Sequence, residues 1–451
     1  MGYSADFQVP RVILSQMRWS AFTLFMALGL SAQQQSPPAG PAPSGPLSIS
    51  FAEALQRARQ YGVDLQTANI AALLAREDRI QAKAALLPQT QQVDEFIYTQ
   101  PNGTPSGVFV PNDGPHVYYI YAQAHEDLSL ARRAEYHRAQ AGEALAQAKA
   151  DLASRGLFST LVQDYYGLAI AQRRLGNALQ SLADARAFQD LTQKQEQGGE
   201  AAHADVVKAQ LQTRQRERDV ADAQLAIEKA RLTLAVLLFP DFQQNFQVVD
   251  DLEQSPPLGS FEELQRQAQA RSPELHIAQA SLRLEAADVS AARAAYLPAP
   301  FFDYFYGIQA DQLAHYDGEH HDNLGSVVQV GVNIPLWTWG ATQSKVRQAQ
   351  LRQRQAGLDL GLAQRQLLAS LNSFYGEAQL AQSQLDSLRG SLALSTESLR
   401  LTNLRYQSGE ATALEVVDAQ STLAAARNSV DDGLSRYRIA IANLQTLTGN
   451  F

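Results

Sequence analysis

Shifted by 210 positions, so that Ser50 falls on Ser260, the second half of the sequence lies on the first without a gap. Ser50-Phe51-x-Glu53 meets Ser260-Phe261-x-Glu263, and Ala84-Ala85-Leu86-Leu87-Pro88 meets Ala294-Ala295-Tyr296-Leu297-Pro298. Far downstream, Gly199-Glu200-Ala201 meets Gly409-Glu410-Ala411, and Val206-Val207 meets Val416-Val417. One register held across both halves implies a duplicated unit, and two copies are too few for a solenoid. Whatever this chain folds into, it folds into twice.

Each copy has the same layout. A short helix opens on a capping-box pattern, Ser50-x-x-Glu53 or Ser260-x-x-Glu263. A second helix follows, started in the second copy by Ser272-Pro273 and stopped before Pro88 or Pro298. Strand-like segments come next. In Ser326 to Ile334, valines 328, 330 and 332 alternate with Gln329, Gly331 and Asn333, and Phe301 to Gln309 is rich in aromatics. The first copy offers 91–100 and 117–125, and polar connections join the strands of each pair. Proline-free stretches then run from His116 to Phe239 and from Leu336 to the end. Leu371, Phe374, Ala378, Ala381, Leu385, Leu388 and Leu392 step by three and four, the seam of a coiled coil. A helix over 128–195 would be about 100 Å long, too long for one globular core to cover. The Gly199 and Gly409 breaks end the rods, and helices return over about 202–238 and 412–447.

The expected organisation is a signal peptide at 1–32, a Pro-rich linker at 33–49, and a first repeat at 50–240 with its strand pair near 91–125. An inter-repeat linker at 241–259 and a second repeat at 260–449 follow, with a strand pair near 301–335. Arg11 and Arg18, the apolar run Ala21 to Leu30 and the small pair Ser31-Ala32 have the order of a secretory signal. A net charge of −9 argues against a nucleic-acid partner. The absence of Cys excludes disulfides and thiolate chemistry. The sequence holds no phosphate loop or nucleophile elbow, so neither a cofactor nor catalysis is expected.

The strands are about the length that crosses a bilayer, but four cannot close a barrel and open edges are not viable in lipid. Several chains must therefore pool them. A soluble periplasmic coiled-coil adaptor or scaffold would share the signal and the rods but would lack two membrane-length strand pairs.

The sequence resembles the TolC-like outer-membrane efflux proteins over about residues 50–449. The resemblance rests on the two-copy layout, the Leu-Pro boundary before each strand pair and Ile334-Pro335-Leu336-Trp337. It rests above all on Tyr406-x-x-Gly409-Glu410-x-Thr412-x-Leu414-Glu415-Val416-Val417-Asp418-Ala419-Gln420. It implies a mainly α fold with a small β part, assembled as a homotrimer with a twelve-stranded β-barrel on a twelve-helix α-barrel. Such a channel sits in outer-membrane lipid, reaches into the periplasm, and serves a periplasmic adaptor and an inner-membrane pump.

The same resemblance singles out residues. Glu415 and Asp418 match positions where the family places acidic rings at the periplasmic aperture, although Thr412-x-x-Glu415 also reads as a capping box. Tyr406 and Asp205 match residues that latch neighbouring helix pairs, but the basic latch partner falls on Ala411. Gly199, Glu200, Gly409 and Glu410 form the tip turns. His315, His320 and His321, with Asp317, Glu319 and Asp322, lie in a polar connection of a kind that seldom holds a preformed metal site, so none is expected there.

Overall fold

The computed structural model describes residues 47–98, 116–241, 244–254 and 256–450. The expected signal segment, residues 33–46 of the expected linker and the first polar strand connection lie outside the described residues. The elements are strand β1 (Leu47–Ile49), helices α1 (Phe51–Tyr61) and α2 (Val63–Ala84), strands β2 (Gln89–Tyr98) and β3 (His116–Asp127), then helices α3 (Leu130–Gln197) and α4 (His203–Leu238). Strand β4 (Phe246–Val248) leads into the second set: α5 (Phe261–Arg271), α6 (Pro273–Ala294), β5 (Ala299–Ala310), β6 (Leu324–Asn333), α7 (Ala341–Gln407) and α8 (Ala413–Thr448). The helices α1, α2 and α4 recur at α5, α6 and α8 with both ends displaced by the repeat interval. Among the described residues no helix is long and apolar enough to cross a membrane.

Short signals set the helix ends. Ser50, Ser129, Ser260 and Ser272 each accept a hydrogen bond from the amide three residues on, which satisfies one of the open N–H groups of the first turn. The capping boxes expected at Ser50 and Ser260 are only half made. Glu53 turns to Arg57, and Glu263 accepts from Gln267, because a partner one turn along the helix competes with the cap for the carboxylate.

The rods α3 and α7 are 68 and 67 residues long. Their seams are buried as the heptads require, through Leu161, Leu168 and Leu182 on α3 and Leu371, Ala378, Ala381 and Leu385 on α7. Asp164 takes the seam position that Phe374 takes in the second copy, and burial pushes its carboxyl up. Toward the strands, α3 lies between α2 and α6, and α6 also packs on α7. Toward the turns, α3 lies between α4 and α8, and α8 also packs on α7. At both levels the order is the same, with α2 or α4 first, then α3, then α6 or α8, then α7.

The sheet repeats this order. Its four strands run β2-β3-β5-β6, all antiparallel, with His125 opposite Asp303 and Asp303 opposite Gln329. Each strand is chained to its own helix, β2 to α2, β3 to α3, β5 to α6 and β6 to α7, so one lateral order runs through sheet and rods. The outer edges of β2 and β6 have no partner strand among the described residues.

Two segments expected as linker are structured. Leu47–Ile49 pairs in parallel with Phe246–Val248, and Ile49 and Phe246 are fully covered. Three-residue strands are too short to show a period in sequence. Tyr165 fixes this seam: its hydroxyl lies 3.0 Å from the Ile49 carbonyl and 2.8 Å from that of Val249, and its ring meets Phe51 edge-on. The tie joins α3 to the lead-ins of both repeats, so Tyr165→Phe should lower stability by about 1 kcal/mol without changing the fold. Thermal unfolding of the detergent-solubilised protein measures it, and an unchanged midpoint would show that the hydroxyl ties nothing.

Candidate functional site

The two helical turns are built alike. Glu200 and Ala201 both donate to the Gln195 carbonyl, and Glu410 and Ala411 both donate to that of Arg405. Between them Gly199 and Gly409 sit at φ +79° and +77°. That left-handed geometry strains any residue with a Cβ, which is why glycine is needed here. Glu200 and Glu410 are exposed at the turns.

Beyond the turns the copies differ. Helix α4 starts at Ala202 with no side-chain cap, whereas α8 starts at Thr412 with a complete capping box. The Thr412 amide and hydroxyl both donate to Glu415 Oε1 at 3.1 Å, and the Glu415 amide donates back to the hydroxyl at 3.3 Å. Arg405 reaches Glu415 Oε2 at 3.4 Å. The Thr412 hydrogen bonds, with Arg405 adding to them, hold the Glu415 carboxyl below the usual glutamate range. Asp418 lies one turn on along the same exposed face, with no cation in ion-pair distance among the described residues.

Behind this face the tip has its own apolar core of Phe188, Ala209, Leu399, Ala413, Val416 and Leu423. Tyr406 belongs to it. Its ring meets Phe188 edge-on with centroids 5.1 Å apart, and its hydroxyl donates to Thr192 3.3 Å away, so no hydrogen bond here joins it to Asp205. Asp205 is half-buried in the first turn of α4. By the repeat register Asp205 is the counterpart of Glu415, and the counterpart of Asp418 is Lys208, which sequence reasoning did not single out. Reading the signature in both copies would have found it.

The histidine loop folds on itself. Asp317 accepts from the amides of Glu319 and His321 and lies 2.9 Å from His321 Nδ1. Among the described residues no group of three or more His, Asp or Glu is placed to hold a metal.

The family model described as "Outer membrane efflux protein" matches residues 264–450. Outer membrane protein TolC of Vibrio cholerae is 25% identical over 195 residues, 42% of this chain and 44% of that protein. The matched segment thus spans under half the length of this curated relative. Solved structures agree along far more of the chain. The outer membrane channel CmeC of Campylobacter jejuni aligns with a TM-score of 0.75 at 16% identity, over 88% of this chain and 85% of that one. Outer membrane protein VceC of Vibrio cholerae aligns with 0.76 at 18% identity, over 88% and 96%. Over residues 264–450 the chain matches the outer membrane efflux proteins, and along 88% of its length it has the fold of the solved outer-membrane channels. Its place is the outer membrane, with the helical part in the periplasm.

The chain carries its tip acid in a form that pH can read. A lowered folded-state pKa stabilises the first turn of α8 above the usual glutamate range, and that gain is lost as pH falls through the lowered value. Hydrogen exchange should therefore show amides 412–416 better protected in the parent than in Glu415→Gln at neutral pH, with the gap closing in acid. A gap that persists in acid would mean that the carboxylate charge is not its source.

Proposed function

We propose that three copies of this chain close into an outer-membrane exit duct, a passive conduit for solutes. The two repeats, residues 50–240 and 260–449, act as equivalent wall units around it. The observation that carries this reading is the shared lateral order of sheet and rods, open at both sides. Unpaired strand edges cannot stay open in hydrocarbon. Pairing β6 of one copy with β2 of the next closes the sheet, and three copies give twelve strands, within the range of known barrels. The same step brings α7 of one copy against α2 and α4 of the next. Exposed apolar residues wait on both sides, among them Leu351, Leu358 and Leu394 on α7 and Ile70, Leu74 and Leu211 on α2 and α4. Trp337 and Trp339, beyond the end of β6, are largely exposed and suit the membrane–water boundary.

Driven transport needs an energy source that a passive wall lacks. The duct therefore serves an inner-membrane pump through a periplasmic adaptor, in drug efflux or type I secretion. Glu415 and Asp418 line its periplasmic mouth, and Tyr406 and Asp205 help to latch neighbouring helix pairs there, Tyr406 through its hydrogen bond from α7 to Thr192 on α3.

Light scattering on detergent-extracted protein should give a trimer, and a monodisperse monomer soluble without detergent would overturn the architecture. In planar bilayers, Glu415→Gln with Asp418→Asn should lower cation preference on the order of two-fold and weaken block by multivalent cations. Gln preserves a capping acceptor, so an unchanged preference would leave both residues as capping and surface groups only.

A further inference from the structure

We propose that Asp303 forms a second cation-selective ring, inside the strand part of the duct, with His125 and Gln123 as its positioning residues. The proposal rests on the duct reading.

The two faces of the sheet differ. One carries Phe96, Tyr98, Phe302, Tyr304, Tyr306, Val328, Val330 and Val332, all exposed, and its polar residues are Thr90, Gln92 and Asp94 on β2, His116 and Glu126 on β3 and Ser326 on β6. The other face carries Gln91, Glu95, Gln123, His125, Asp127, Asp303 and Gln329 beside the rings of Tyr119, Tyr121, Phe301 and Phe305, and along β5 its side chains are the better covered. In a barrel the apolar face meets lipid and the polar face meets water, which puts Asp303 on the lumen side.

Asp303 is held from two directions. Its Oδ1 lies 2.8 Å from His125 Nδ1 and accepts from Gln123 Nε2 at 3.1 Å, while Gln123 accepts from Gln91 at 2.8 Å. Three strands thus hold one carboxylate that is only 7% exposed. A carboxylate recessed in this way is screened less by salt than one on the surface.

The neighbours leave its charge standing. None of the four strands contains Lys or Arg. On the lumen face, β2 adds Gln91 and Glu95, and β6 faces Asp303 with Gln329. On β3, Asp127 is spent on the Ser129 amide and Arg132. Among the described residues the only basic group beside Asp303 is His125. Histidine is the side chain whose charge changes between about pH 5 and 8. A proton on the free nitrogen of His125 would put a positive charge next to the carboxylate and cancel the ring.

The test uses the full-length trimer in planar bilayers under a KCl gradient, with Glu415→Gln and Asp418→Asn in place so that the tip does not dominate. At about pH 7.5 this background should prefer potassium over chloride, and acidification to about pH 5 should lower the permeability ratio on the order of two-fold. Asp303→Asn should lower the ratio at pH 7.5 by a similar factor and abolish the pH step. His125→Asn, which keeps a donor for Asp303, should keep the ratio at pH 7.5 and lose the step. A conducting trimer whose ratio ignores Asp303→Asn overturns the ring alone. A trimer that inserts but passes no current overturns the duct and the ring together. If Asp303→Asn does not assemble, His125→Asn decides, and a step that survives in it overturns the ring.

Discussion

Hydrocarbon offers no water to an unpaired peptide group, and the rest of this structure follows from that constraint. Among the described residues the sheet ends at β2 on one side and at β6 on the other, each with a free edge. Because each strand is chained to its own helix, the rods end on the same two sides. An interface demanded by backbone pairing in the membrane is therefore continued by side-chain packing below it. The two parts of the interface obey different physics. Strand edges supply directional hydrogen bonds that fix register, while alanine and leucine seams supply non-directional burial along about 100 Å of helix. Neither suffices alone, since twelve short strands hold little area and smooth rods can slide.

Much of this was legible in the sequence, and where it was not the reasons are physical. The rods could be read because a three-four step repeated over many turns has few other causes, and Leu371, Ala378 and Leu385 are buried where the pattern puts them. The tip turns could be read because left-handed backbone needs glycine. The joint of β1 and β4 could not, since Leu47-Ser48-Ile49 and Phe246-Gln247-Val248 are too short to show a period. The half-made caps at Ser50 and Ser260 were hidden because the pattern does not say whether Glu53 will prefer the cap or Arg57. The contact of His125 with Asp303 was out of reach, because β3 and β5 are far apart in sequence and their register is set by the fold. For Tyr406 the sequence offers only a resemblance to a latch position. Its place in the tip core depends on Phe188 and Thr192, which lie on another rod.

The tip acids divide their work. Glu415 has given its carboxylate to Thr412 and Arg405, so much of its charge is already answered within the chain. Asp418 has no such partner among the described residues and faces outward. Of the two, Asp418 keeps the freer charge, while Glu415 holds the start of α8 in shape. The covered Asp303 combines both habits, since it is firmly held and yet, among the described residues, faces no basic group except a histidine.

Thr412 opens α8 with a full cap, and Ala202 opens α4 with none. A duplicated chain in three copies presents six hairpin tips, and by backbone alone the rim would be six-fold. The divergence of one threonine and one alanine, together with Asp418 against Lys208, lowers that rim to three-fold with two alternating kinds of tip. A ring of six identical partner molecules meeting this rim must then seat its members in two unlike environments, three in each. Three partners could all choose the same kind and leave the other bare. In the proposed trimer, the unlike caps and charges of the two tips would thus set the counting rule for a docking partner.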